Sequence, residues 1–154
     1  ECAELPAEAV IATKARAEAK QHLASLIPNS PIPPMLNDDL LAVFDDSDAA
    51  TAWIRGKLAD PSSELQAIAV PFAFLAAYFG APDYALELLC GAYIEMRQAI
   101  PIVNIWHPVF SGVRKLPAFK DLVRDLGLYD SWRASGKWGD FARPFGDDDF
   151  EIIG

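Results

Sequence analysis

Proline most constrains what this chain can build. Twelve prolines are spread over 154 residues, and a helix can begin at a proline but cannot run through one without kinking or ending. The segments between them are rich in Ala, Leu and Phe. They show none of the sustained period-two alternation with hairpin turns that marks strands. The chain therefore predicts an all-α fold of short antiparallel helical hairpins with proline and glycine stops between them.

Local signals place the helices. Pro6 to Ile27 is Ala-rich with interspersed Lys, Glu and Arg, a composition of strong helix formers, and predicts one helix with Val10, Ala17, Leu23 and Ile27 on its apolar face. Pro28, Pro31, Pro33 and Pro34 then make a stiff connector. Asn37 is the expected N-cap of a short helix through Phe44, and a further helix is expected from Asp48 to Leu58. Asp60-Pro61 restarts the chain, with a long apolar helix from Ser62 to Phe79 kinked or restarted at Pro71. Gly80-Ala81-Pro82 ends it. Tyr84 to Ala99 is the next helix, Val103 to Val113 a shorter one interrupted at Pro108, and Pro117 to Leu126 an amphipathic one capped by Gly127.

Composition sets outer limits. The chain is 52% hydrophobic, with 13 basic and 22 acidic residues giving a net charge of −9. That apolar content excludes wholesale disorder, and a chain near this length buries roughly 70% of its unfolded surface without needing metals or disulfides. The acidic balance argues against nucleic acid, whose phosphates need clustered Lys and Arg. No apolar run approaches the roughly 18 residues that cross a bilayer. The opening Glu1-Cys2-Ala3-Glu4 lacks Met and a basic leader, so the chain reads as a fragment of a longer one or as a trimmed one. The cytoplasm is the default compartment, and the parent chain could be membrane-anchored.

The hairpins carry a repeat-like pattern. Around Phe72 to Ala92, Ala73 and Gly80 occupy small positions of a first helix and turn, and Ala85, Leu89 and Ala92 occupy small, large and small positions of a second. Ala49, Trp53, Gly56 and Pro61 give the second-helix pattern one repeat earlier, and Ala118 and Leu122 echo it one repeat later. The spacing has a packing reason: small residues let two helix backbones approach while the large one plugs the neighbouring groove. It resembles the tetratricopeptide repeat, whose period is about 34 residues. The segment departs from that pattern in having Ala69 and Ala76 where the family carries Trp and Tyr, and Arg97 in place of the terminal proline.

A more specific resemblance lies further along. Ile105-Trp106-His107-Pro108-Val109-Phe110, Leu116 to Leu122, and Leu126-Gly127-Leu128-Tyr129-Asp130-Ser131-Trp132-Arg133 are similar to the closing segment of bacterial tetratricopeptide-repeat regulatory proteins. Trp138 to Pro144 and Gly146 to Glu151 are similar to the ending those chains share. In that family the array is often fused to an adenylate cyclase or a winged-helix transcriptional domain, neither of which is present in this sequence. Ala142 stands where the family often has Cys, and Lys137 is added. The resemblance spans roughly Phe72 to Glu151 and implies a regulatory module whose repeats form an α–α superhelix.

Signals for chemistry are sparse. Cys2 and Cys90 match no metal or redox spacing, and the two histidines and two cysteines cannot supply paired zinc ligands. His22 reads as a surface residue. Asp147, Asp148 and Asp149 lack the Glu and Gly positions of an EF-hand loop. The serines form no nucleophile elbow, and no Gly-rich phosphate loop occurs. No catalytic residue, metal or cofactor is therefore assigned. His107, between Trp106 and Pro108, reads first as a half-buried residue at a helix break and second as a base or ligand-binding group.

Charge is more informative. From Arg114 to Lys137 basic residues dominate, and from Asp140 onward acidic ones do. The expectation is a helical domain over residues 1–136 and an acidic, aromatic tail over 137–154 that packs on it as an end cap, anchored by Trp132, Trp138, Phe141, Phe145 and Phe150. The leading functional expectation is a non-catalytic helical-repeat module that binds a protein, peptide or small effector, with Tyr78, Tyr93, Arg97, Trp106 and His107 as candidate groove residues. One alternative is a small-ligand or catalytic pocket centred on His107 with Glu95 and Arg97. The other is a homodimer formed through the apolar run Ile68, Val70, Phe72, Phe74, Leu75, Tyr78 and Phe79.

Overall fold

A computed structural model describes residues 14–21, 34–60 and 62–153. The rest of the expected first helix, the connector prolines Pro28, Pro31 and Pro33, and His22 lie outside the described residues. The chain divides into two compact units, Glu1–Gly56 and Lys57–Gly154.

In the first unit, α1 covers residues 14–21, α2 runs Pro34–Val43 and α3 Ser47–Lys57, whose last residue belongs to the second unit. The α2 helix begins at Pro34 rather than after an Asn37 cap, because proline's fixed φ suits the first helical position and its missing N–H needs no partner there. Asp46 starts α3 with its carboxylate, which accepts from the N–H of Asp48 at 3.0 Å and of Ala49 at 2.9 Å, the usual N-terminal remedy for unpaired donors. Arg16 donates to the Asp45 carbonyl and the Ser47 hydroxyl, tying α1 to the turn between α2 and α3. Leu36, Leu40, Phe44, Ala50 and Ile54 are buried.

In the second unit, the helix expected from Ser62 to Phe79 with a kink or restart at Pro71 is broken earlier, at Ile68. Ser63 caps a 3₁₀ turn, Glu64–Ile68, and Ile68 then leaves helical geometry at φ −116° before α4, Ala69–Tyr78. Pro71 therefore falls in the first turn of α4, where its missing donor has no intrahelical acceptor to lose. Gly80 turns the chain at φ +82°, and Pro82 opens α5, Pro82–Cys90, which packs back on α4. Ala73, Ala76, Ala85, Leu89 and Ala92 are all fully buried in this hairpin and the turn that follows. Small side chains here let two helices approach closely.

The α5 helix stops short of the expected Ala99. It widens into a π turn, Gly91–Glu95, with Met96 N–H donating to the Gly91 carbonyl at 2.9 Å. Arg97 follows in the left-handed region at φ 46°. Gln98 N–H then donates to the Ala92 carbonyl at 2.9 Å, closing the turn on itself. Two 3₁₀ turns, Ile102–Trp106 and Pro108–Phe110, lead to α6, Ser111–Arg114, then α7, Phe119–Asp125, and α8, Leu128–Ser135.

The tail holds the only strands among the described residues. β1, Ala142–Phe145, and β2, Asp149–Ile152, pair antiparallel, with Phe145 opposite Asp149 and Ala142 opposite Ile152. Side chains alternate across a strand. The face of Ala142, Phe150 and Ile152 turns toward the protein, with Phe150 fully buried, while Arg143 and Glu151 pair across the other face at 2.6 Å. Phe150 joins Phe72, Phe110 and Phe119 among the largest completely buried side chains.

Candidate functional site

The five residues singled out in sequence take different roles. Tyr93 is buried, and its hydroxyl donates to the Pro101 carbonyl at 3.0 Å. Burial pushes that hydroxyl's pKa above its ordinary 10.0. Trp106 is half-buried and lies parallel to Phe141, ring centroids 5.3 Å apart. Its edge meets Phe119, and Trp132 is tilted beside it. His107 is exposed, but its Nδ1 accepts from the Val109 N–H at 3.2 Å and so caps the 3₁₀ turn after it. The ring edge rests on Phe74, 5.0 Å between centroids. Tyr78 and Arg97 are exposed.

Glu95 lines a small cavity of about 200 Å³ with Gln66, Tyr84, Glu87 and Met96, whereas neither Arg97 nor His107 lines it. Among the described residues, Glu95 and Arg97 form no ion pair. The apolar run of α4 is largely consumed by the core: Val70, Phe72 and Phe79 are buried, and Phe74 packs edge-on against Phe110 at 4.6 Å.

Residues 96–103, a loop that runs into the 3₁₀ turn Ile102–Trp106, carry an unusual surface. Met96, Ile102 and Val103 are exposed, Val103 at 68%. The backbone beneath them is pinned by Tyr93 through Pro101 and by Gln98, whose side-chain amide donates to the Gln66 carbonyl at 2.9 Å.

A second concavity lies where the hairpin meets α6 and α7, a groove of about 440 Å³. Its lining includes the basic Arg114, Lys115 and Lys120 and the apolar Leu116, Pro117 and Phe145. Asp149 accepts from Lys120 Nζ and Arg124 Nη2, both at 2.7 Å, and these donors together with the Phe150 N–H hold its carboxyl below the ordinary 3.8, Lys120 contributing most. Lys120 and Arg124 also lie over the Phe150 ring, at 5.0 and 5.2 Å. Arg114 is 7% exposed; it donates to the His107 carbonyl at 3.0 Å and sits 5.4 Å from the Phe141 centroid.

The sequence sets the tail against the helical domain but not which residues meet in this groove, because Arg114 and Phe145 are far apart in the chain; Phe145, an expected anchor of the tail, is instead 58% exposed. A signal was present: Asp149-Phe150-Glu151-Ile152 alternates polar and apolar residues, the pattern of a half-buried strand. Among the described residues, no group of three His, Cys, Asp or Glu side chains is placed to hold a metal ion, and no helix is long and apolar enough to cross a membrane. No protein-family model, no curated protein and no solved structure matches the chain.

Proposed function

We propose that this chain is a non-catalytic helical interaction module of tetratricopeptide-like construction, part of a larger cytoplasmic bacterial regulator, which binds a protein or peptide partner. The observation that carries this reading is the 96–103 loop. Val103, Ile102 and Met96 project apolar surface to solvent from a backbone fixed at Pro101 and Gln98. An apolar surface that is already ordered loses little conformational entropy when a partner covers it. The α4–α5 hairpin, with alanines at its crossing, supports the repeat-like part of the reading. So does the sequence similarity of its closing segment.

A displayed random-peptide library selected against the full chain tests the proposal, with Val103→Asp as the comparison. Enriched peptides that bind the chain and lose at least about tenfold in affinity, roughly 1.4 kcal/mol, to V103D support it. A library that yields no enriched sequence, or binders indifferent to V103D, overturns it. Light scattering of the same samples at two concentrations shows whether the partner is a second copy.

A further inference from the structure

Arg114 stands out in the second unit as a buried cation without a counter-charge. It is 7% exposed. It meets no carboxylate among the described residues, and its only acceptor there is the His107 carbonyl. Its Nε is buried with no hydrogen-bond partner. Guanidinium carries five donors in a fixed fork, so most of this fork is unused. The Phe141 ring offsets part of the cost through its face, 5.4 Å away, and burial alone lowers the guanidinium's pKa from its ordinary value. Uncompensated buried charge is expensive, and the usual partner of such a fork is a bidentate oxyanion.

The groove that Arg114 lines fixes the charge and shape of that partner. Of its two other cations, Lys120 is bound to Asp149, whereas Lys115 is exposed and pairs with no described carboxylate. Glu151, also at the groove, is taken by Arg143. Arg114 and Lys115 are thus the unneutralised charges, and the nearby Asp149 and Glu151 disfavour a dianion such as inorganic phosphate. The same groove is also lined by the apolar side chains of Leu116, Pro117 and Ile152 and by Phe145, which is 58% exposed.

We infer that the groove between α6, α7 and the tail hairpin is a binding site for a carboxylate monoanion with an apolar body, its carboxylate held by Arg114 and Lys115 and its body laid against Phe145 and Leu116. The source is either a free organic acid or the terminal carboxylate of a peptide. The site shares no residue with the 96–103 loop, so the inference stands apart from the proposed peptide-binding role of that loop.

The test is a titration of the ¹⁵N-labelled full chain, following the Arg114 Nε–H signal and the backbone amides of Lys115, Phe145 and Ile152. The probes are 3-phenylpropionate, its neutral amide, inorganic phosphate, and a short peptide ending in Phe with a free or amidated carboxyl. Saturable shifts at these signals with phenylpropionate, at least about tenfold weaker with its amide and with phosphate, are expected. Tighter binding of the free-carboxyl peptide than of phenylpropionate assigns a peptide source, and the reverse a free organic acid. Lys115→Glu and Phe145→Ser, both at exposed positions, each weaken binding at least about fivefold without altering the fold. Arg114→Lys weakens it further by removing the fork. Shifts that are equal for acid and amide, shifts confined to residues outside the groove, or affinity unchanged in K115E and F145S overturn the inference.

Discussion

Trp106 and Phe141 lie face to face, their ring planes 4° from parallel and their centroids 5.3 Å apart. One belongs to the 3₁₀ turn before His107, the other to the residue that enters β1. This stack places the tail against the body of the second unit. Trp138 reinforces it against Trp132 at 5.6 Å, and Phe150 is inserted completely, 5.2 Å from Tyr129. The tail is therefore part of the core rather than an appendage to it.

Removing the inserted ring has a direct cost. Phe150→Ala is expected to destabilise the second unit by about 3–5 kcal/mol, the range for emptying a buried phenylalanine site. Phe141→Ser should cost less, because Phe141 is only half-buried. Both variants should associate more readily as the apolar faces beneath are uncovered. Urea unfolding and light scattering check both points, and wild-type midpoints in both variants would contradict the packing described.

Asp149 makes stability acid-sensitive. Hydrogen bonds from Lys120 and the Phe150 N–H, with the nearby Lys120 and Arg124 charges, lower its pKa when folded. A depressed folded pKa gives a stability contribution that is complete above the unfolded value near 3.8 and is lost as pH falls through the lower folded value. The melting temperature of the chain is thus expected to drop below about pH 4. Asp149→Asn should have a lower melting temperature at neutral pH and a shallower decline on acidification. An identical acid limb in D149N would remove Asp149 from the explanation.

Cys90 should be a sluggish nucleophile. Partial burial raises its thiol pKa above the ordinary 9.0, and the charges of Asp125, Glu95 and Asp121 raise it further. Only the thiolate reacts, so alkylation by iodoacetamide at pH 7.5 should run slower than that of a small free thiol and accelerate steeply above pH 9. Mass-spectrometric time courses, with alkylation read at the Cys90-containing peptide, measure this.

Two glycines should respond in opposite directions. Gly80 sits at φ +82°, and an added Cβ would meet nothing within 4 Å, so the cost of Gly80→Ala is the backbone strain alone, about 1–2 kcal/mol. Gly91 has ordinary helical dihedrals, φ −56° and ψ −48°, with equal space around it. Gly91→Ala should stabilise by roughly 0.5–1 kcal/mol through the restricted unfolded chain. Thermal melts of the two variants decide both.

The helical class, the breaks at Gly80, Pro82 and Pro108, and the start of α3 were legible in the sequence, because each is set by a residue acting on its own backbone or on that of near neighbours; the break expected at Pro71 falls instead at Ile68. The Asn37 cap was misread for a related reason: Pro34 also starts a helix, and only the structure shows which of the two signals prevails. The early end of α5 was hidden as well, since the bond from Gln98 to Ala92 and that from Tyr93 to Pro101 form only once the loop has folded back. The candidate site was legible only in fragments. The basic run around Arg114 and the acidic, aromatic tail expected to pack on the domain are written in the chain, but which of their residues meet is not. That meeting depends on Phe150 entering the core and on Asp149 reaching Lys120, 29 positions earlier in the chain. Local sequence set where the backbone turns. Burial of a few aromatic rings, a property of the whole packed unit, decided which charged residues came to face one another.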